Sequence, residues 1–172
     1  MTTTSVSRAK HDKRDVGISL EGVEKIGGSL KAMLADVFCL YLKTKNFHWH
    51  MTGRNFRDFH LLLDEHADQI LAMGDPIAER ARKIGAETLR SIGDVSREMR
   101  LKDNDQETVI TPLAQLTELR NDNRLLARYL RETHELCSSN RDFATTSLIE
   151  VWVDETERRV WFLSEIVDHP SV

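Results

Sequence analysis

The chain has 172 residues, 24 basic against 28 acidic and a formal charge of -4. That length buries a core without disulfides or structural zinc, and the charge excludes a uniformly basic nucleic-acid coat. With 30% charged residues, 6% aromatics, three prolines and all eight glycines at or before Gly93, the composition suits a solvated helical bundle and not a β-sandwich.

Residues 1–15 lack apolar periodicity and read as a mobile tail, and residues 16–172 read as one domain. Val23, Ile26, Leu30, Met33, Val37 and Leu40 recur at steps of three and four, predicting a first helix that continues towards His48. Gly53 marks a turn. Phe56, Phe59, Leu63, His66, Ile70, Met73, Ile77 and Ile84 form a second seam closed by Gly85, with a bend or break expected at Pro76. Residues 86–110 form a long connection with a short helix over Ser91–Met99. Thr111-Pro112 opens a third helix, with Thr as N-cap and Pro at the first helical position. Leu116, Leu119, Leu126, Leu130 and Cys137 line it. Ile149, Val153, Thr156, Val160, Leu163 and Val167 give a fourth helix a heptad stripe, flanked by Trp152 and Trp161. The expected fold is all-α: a four-helix bundle with a long crossover between the second and third helices, carrying a short extra helix.

Cys39 and Cys137 lie nearly a hundred residues apart inside apolar patterns. That spacing excludes a zinc knuckle or CxxC site and predicts two reduced core thiols. No apolar run is long enough to span a bilayer and residues 1–14 hold no signal-like apolar region, so a soluble cytoplasmic protein is expected.

The chemistry concentrates in residues 45–80. His60 and Asp64 are four apart on the second helix, as are Asp75 and Glu79, and all four share a sector roughly 100° wide. An imidazole and three carboxylates on one stripe suit a divalent metal such as Fe²⁺. Asp64 and Asp75 are eleven residues apart, about 16 Å along a helix axis, so one metal cannot reach both pairs on one helix. Each chain therefore carries two half-sites. Two copies packed antiparallel about a two-fold axis would bring unlike halves together, placing the metal at a dimer interface. His48, just before the turn, can return onto the His60/Asp64 half. The residues alone also allow a solvated charged face, with Asp75 capping a new helix at Pro76 and Trp49 packed in the core.

His48-Trp49, Gly53, Asn55-Phe56, His60-x-x-x-Asp64 and Asp75-x-x-Ala78-Glu79 resemble the pattern of the Dps family, the miniferritins of the ferritin superfamily. The similarity runs from about residue 20 to 168 and includes Trp161-Phe162-Leu163. It implies a hollow dodecamer of ferritin-like four-helix subunits that oxidises Fe²⁺, typically with hydrogen peroxide, and stores ferric mineral. It implies that His48, His60 and Asp64 come from one subunit and Asp75 and Glu79 from its two-fold partner, at a centre able to take two irons. Trp49 becomes a candidate radical trap. His50, His66 and His134 match no ligand position; His66, on the apolar seam, reads as a packed interface histidine. Asp142 matches an acidic pore position for iron entry, Ser147 stands where Asp is common, and Glu150 lies one turn on.

DNA contact rests on the tail. Arg8, Lys10, Lys13 and Arg14 against Asp12 give +3 over the first 14 residues, while the rest carries 20 basic and 27 acidic residues, a net of -7. Tails presented in many copies would bind phosphate backbones without reading sequence, leaving the protein nucleoid-associated. Two functions compete: an iron-oxidising, iron-storing protector of DNA, or chiefly a sequence-independent DNA-compacting protein with secondary iron chemistry.

Overall fold

In a computed structural model of the chain, residues 16–105 and 110–169 are described, and their regular structure is six α-helices. Helix α1 (Leu20–His50) and the broken pair α2 (Phe56–Ala72) and α3 (Gly74–Lys83) form the first hairpin. Helices α5 (Pro112–Ser139) and α6 (Phe143–Asp168) form the second. The short α4 (Ile92–Glu98) lies in the connection between the hairpins, which runs the length of the bundle because α2 and α5 point the same way. None of the described helices is long and apolar enough to cross a membrane.

Each boundary has a local cause. Ser19, Ser91 and Thr111 accept hydrogen bonds from the backbone N–H groups of Gly22, Asp94 and Ala114, three N-caps of the usual kind. Pro112 follows Thr111 at the first helical position, as its spacing predicts. Gly85 (φ +91°) takes the left-handed conformation just past the end of α3, and Gly53 (φ +96°) takes it in the α1–α2 turn, where its carbonyl accepts from the Phe56 N–H. The second seam breaks at Met73–Gly74, two residues before the expected Pro76. Pro76 then falls in the first turn of α3, where a missing N–H costs nothing. Asp75 makes no capping bond there, which removes the capping alternative.

The core is apolar at its centre: Ile26, Leu30, Met33, Leu40, Leu63, Ile70, Leu116, Leu126 and Leu163 are fully buried. On α6, beyond Thr145 and Thr146 in its first turn, the buried positions are Ile149, Trp152, Thr156, Arg159 and Leu163, spaced three and four apart. That stripe differs from the expected one, where Val153 and Val160 were core and Trp152 a flank; Trp161 stays outside, 60% exposed. Both cysteines are free and buried, and burial pushes their thiols up to about 11 for Cys39 and about 12 for Cys137. They are core thiols, protonated and unreactive at neutral pH.

The crossover is tied to α1 by one buried carboxylate. Asp36, fully enclosed, accepts from the backbone N–H of Arg100 (2.6 Å) and Leu101 (3.0 Å) and from the Arg100 guanidinium (2.6 and 2.8 Å). Arg100 in turn stacks on the Tyr129 ring of α5. Four donors on two oxygens satisfy the charge that burial would otherwise penalise. Lys43, also buried, meets Glu118 and Asp122 of α5 at 2.9 and 2.8 Å, which sets α1 against the second hairpin.

Candidate metal centre

The α1–α2 turn brings the end of one helix onto the start of the next, and there His48, His60 and Asp64 converge. The rings of His48 and His60 stack 3.7 Å apart, nearly parallel. They exchange reciprocal hydrogen bonds: Nδ1 of His48 to the carbonyl of His60 at 2.8 Å, and Nδ1 of His60 to the carbonyl of His48 at 2.9 Å. A carbonyl oxygen only accepts, so each Nδ1 carries a proton and Nε2 is the ring nitrogen left to ligate a metal. That is the arrangement a metal-ligating imidazole needs, held by the second-sphere bond that such ligands characteristically make. Phe56 packs against the outer side of His60 at 5.0 Å and helps fix the stack.

Asp64 closes the group. Its Oδ1 lies 3.8 Å from His48 Nε2 and 2.6 Å from the ammonium of Lys45. The Lys45 hydrogen bond, reinforced by its charge, holds the Asp64 carboxyl below the usual carboxylate range, so it stays ionised. Lys45, one turn before His48 and on the same side of α1, went unnoticed in the sequence pattern. The side chain of Asp64 is about half exposed, at 47%, and opens outward instead of into the core.

Asp75 and Glu79 lie in α3 and face solvent. Glu79 pairs with Lys83 at 2.8 Å, and that hydrogen bond lowers its pKa. They stay away from the histidine group. Among the described residues of the single chain, no set of three or more His, Cys, Asp or Glu side chains is arranged to hold a metal ion. The chain thus carries two separated candidate half-sites: Asp75 and Glu79, both exposed, and the partly exposed His60 and Asp64 with His48, which is buried at 7% exposure.

The remaining expectations divide. Trp49 is 59% exposed, not a core residue, because it lies one position past His48 and turns off the buried stripe of α1. His50 is exposed and bonds to the carbonyl of Asn46. His66 is buried inside the chain, edge-on to Phe162, and burial drives its pKa down to about 3. His134 has a partner after all: its Nε2 lies 3.0 Å from Glu150 of α6. Asp142 requires a correction. It is 2% exposed, accepts from Arg80 of α3 at 2.5 Å and caps α6 through the N–H and hydroxyl of Thr145. Both oxygens are engaged within the chain, so Asp142 is a structural cap and not an open pore carboxylate. Arg8, Lys10, Lys13 and Arg14 lie outside the described residues.

Comparison with known proteins decides the family. Residues 28–171 match the ferritin-like domain model. A DNA protection during starvation protein of Deinococcus radiodurans is 30% identical over 84% of this chain and 70% of its own length. Its namesake from Halobacterium salinarum is 32% identical over 78% of this chain and 73% of its own. The chain belongs to the Dps family. The Dps fold is matched throughout: DpsC of Streptomyces coelicolor superposes with a TM-score of 0.85 at 24% identity, covering 96% of this chain and 99% of that one. The archaeal Dps homologue from Halobacterium salinarum gives 0.84 at 24% identity, covering 98% and 97%.

Proposed function

We propose that this Dps protein oxidises Fe²⁺, with hydrogen peroxide as oxidant, at a centre completed by two subunits, and stores the ferric product inside a dodecameric shell. The observation that carries the reading is the His48–His60 pair: two stacked imidazoles with both Nδ1 atoms committed to backbone carbonyls, and Asp64 3.8 Å from His48 Nε2. A core-packing or purely structural role does not require that arrangement at both rings.

Each group has a task with iron as substrate. The neutral imidazoles bind Fe²⁺ moderately, which permits release of product. The carboxylates of Asp64 and Glu79 are hard anionic ligands that favour Fe³⁺ and so drive oxidation. Asp75 orients a ligand or serves a second, more weakly held iron. Peroxide takes two electrons, one from each of two Fe²⁺, so a pair of adjacent irons completes the reduction without releasing a radical. Trp49, exposed beside His48, is placed to intercept a radical that escapes. Glu150, exposed and bonded to His134, remains the acidic candidate for an iron path.

With Fe²⁺ and peroxide, the wild type is expected to develop ferric absorbance at least tenfold faster than a His60→Ala/Asp64→Ala variant that still assembles. Equal rates would end the ferroxidase reading.

The relatives' names specify DNA protection. Protection through iron removal needs no DNA contact. Direct, sequence-independent binding through the +3 tails, inside the cytoplasm at the nucleoid, is the second reading, and the charge separation between tail and body favours it. A low-salt gel shift comparing the full chain with one starting after Asp15 separates the two: retardation should disappear with the tail, and equal retardation rejects tail binding.

A further inference from the structure

Between the two half-sites the fold leaves an apolar strip uncovered. On α1, Phe38 and Leu42 are 37% and 53% exposed, and with Lys45 and Trp49 they fall in a sector roughly 60° wide. On α2, Leu71 is 40% exposed and shares a sector of about 40° with His60 and Asp64, one turn before Asp75. The Lys45–Asp64 ion pair and the His48–His60 stack fix the antiparallel register of the two helices. Two turns further along, that register sets Phe38 opposite Leu71. The Phe38 ring also reaches Gly74, where an added Cβ would meet its Cζ at 4.0 Å. From Phe38 and Leu42 the apolar surface continues into a groove of about 310 Å³ whose α4 wall carries Ile92, 83% exposed.

Symmetry decides what this strip meets. A two-fold axis that brings His60/Asp64 of one chain against Asp75/Glu79 of another must pass midway between the two pairs. Along α2 and α3 that midpoint falls between Gln69 and Ile70, within two residues of Leu71 and across from the stretch of α1 that holds Phe38. Residues beside a two-fold axis meet their own copies, so apolar side chains there face apolar side chains. An unrelated partner laid on the strip would cover it and supply neither missing half. A second copy does both. Charge agrees, since the copy sets the exposed carboxylates of Asp75 and Glu79 against the end of the strip that holds Lys45.

We propose that Phe38, Leu42 and Leu71 form the seam on which two copies of this chain pack antiparallel about a two-fold axis, each residue close to its counterpart in the other copy. The assignment rests on the two-subunit reading of the metal centre and gives that centre its register. Sliding the seam by one helical turn would move each acidic pair about 5 Å away from the histidines it serves. None of the three side chains is a metal ligand, so the packing surface and the chemistry can be altered separately.

Single cysteines read the seam on the assembled protein. Both native thiols are buried, so the wild type should give a low background with a short bis-maleimide. Leu42→Cys and Leu71→Cys should each convert most subunits to covalent dimers. Lys83→Cys lies about 20 Å along the bundle from the midpoint, which puts its two copies roughly 40 Å apart, and should stay near background. No dimers from the first two variants, or equal yields from all three, overturn the proposal. The Leu42→Asp/Leu71→Asp variant changes two positions exposed in the single chain. It should keep its helical circular dichroism and lose the wild-type assembly in sedimentation; unchanged assembly rejects the seam. If that variant does not fold, the cysteine variants still decide. The iron reading fails separately. Seam cross-links alongside undiminished ferric absorbance from His60→Ala/Asp64→Ala would reject the ferroxidase and keep the interface. Absent cross-links alongside lost absorbance would reject the seam and keep the ferroxidase.

Discussion

At the scale of single residues, the most consequential contact is the one between Lys45 and Asp64. The ammonium neutralises the carboxylate at 2.6 Å and, on the proposed function, would compete with iron for the same oxygen. It also keeps the Asp64 pKa low, so the carboxylate survives as an anion into acid. Lys45→Met should therefore strengthen Fe²⁺ binding near neutral pH and move the acid limit of that binding to higher pH. Near pH 7, where Asp64 is ionised either way, the variant should bind Fe²⁺ more tightly, because the ammonium no longer competes for the carboxylate oxygen. In acid, the unassisted carboxyl protonates at a higher pH, so binding should fall away earlier than in the wild type. Titrating Fe²⁺ anaerobically across pH 4–7 measures both; parallel curves would show that Lys45 has no hold on the site. His48, His60 and Asp64 were legible in the sequence because four-residue spacing and the HW pair are local patterns. Lys45 lay one turn before His48 and was equally local, yet a cation near a metal site does not announce itself as part of it. Asp142 is the converse case: the resemblance points to a pore position, while its Asp-x-x-Thr spacing makes it a helix cap.

Among the elements, periodicity and capping carried most of the fold, since steps of three and four and a Thr-Pro start depend only on nearby residues. What escaped depended on tertiary partners. The buried stripe of α6 includes Trp152 and Arg159 because Asn123 and Thr156 offer the guanidinium acceptors, a fact of packing that hydropathy cannot express. The crossover shows the same thing. Nothing in residues 99–105 predicts firm attachment, yet Asp36 fastens Arg100 and Leu101 to α1 with four hydrogen bonds. Asp36→Asn keeps the shape but surrenders the charge and at least one acceptor, leaving Arg100 partly unpaired. The expected cost is about 1.5–3 kcal/mol, the range for hydrogen bonds to charged groups. Amide exchange should accelerate at Arg100 and Leu101 well before it changes in the middle of α5. Uniform acceleration along the whole chain would mean that Asp36 supports the bundle at large and not the crossover specifically.

For the molecule as a whole, the proposed function requires each metal centre to draw its second half from another subunit. Within one chain, His60/Asp64 and Asp75/Glu79 are separate and at least partly exposed. An isologous dimer pairs patch with patch twice, so each of its two centres takes the histidine half from one subunit and the acidic half from the other. That geometry has a consequence no intrasubunit centre shares. Take one variant with His60→Ala/Asp64→Ala and another with Asp75→Asn/Glu79→Gln, each inactive by itself. In a dimer that contains one of each, one centre collects all four substitutions and the other collects none. Coexpressed in equal amounts and pairing at random, the chains form mixed dimers half the time, and half the centres of those are intact. About a quarter of wild-type ferroxidation should return. The readout is the initial rate of ferric absorbance per subunit, with each variant alone as the baseline. Centres built within single chains would give no recovery, because every chain carries a lesion. Recovery near a quarter would establish that two subunits build each centre, as the separation of the two proposed ligand groups within one chain requires.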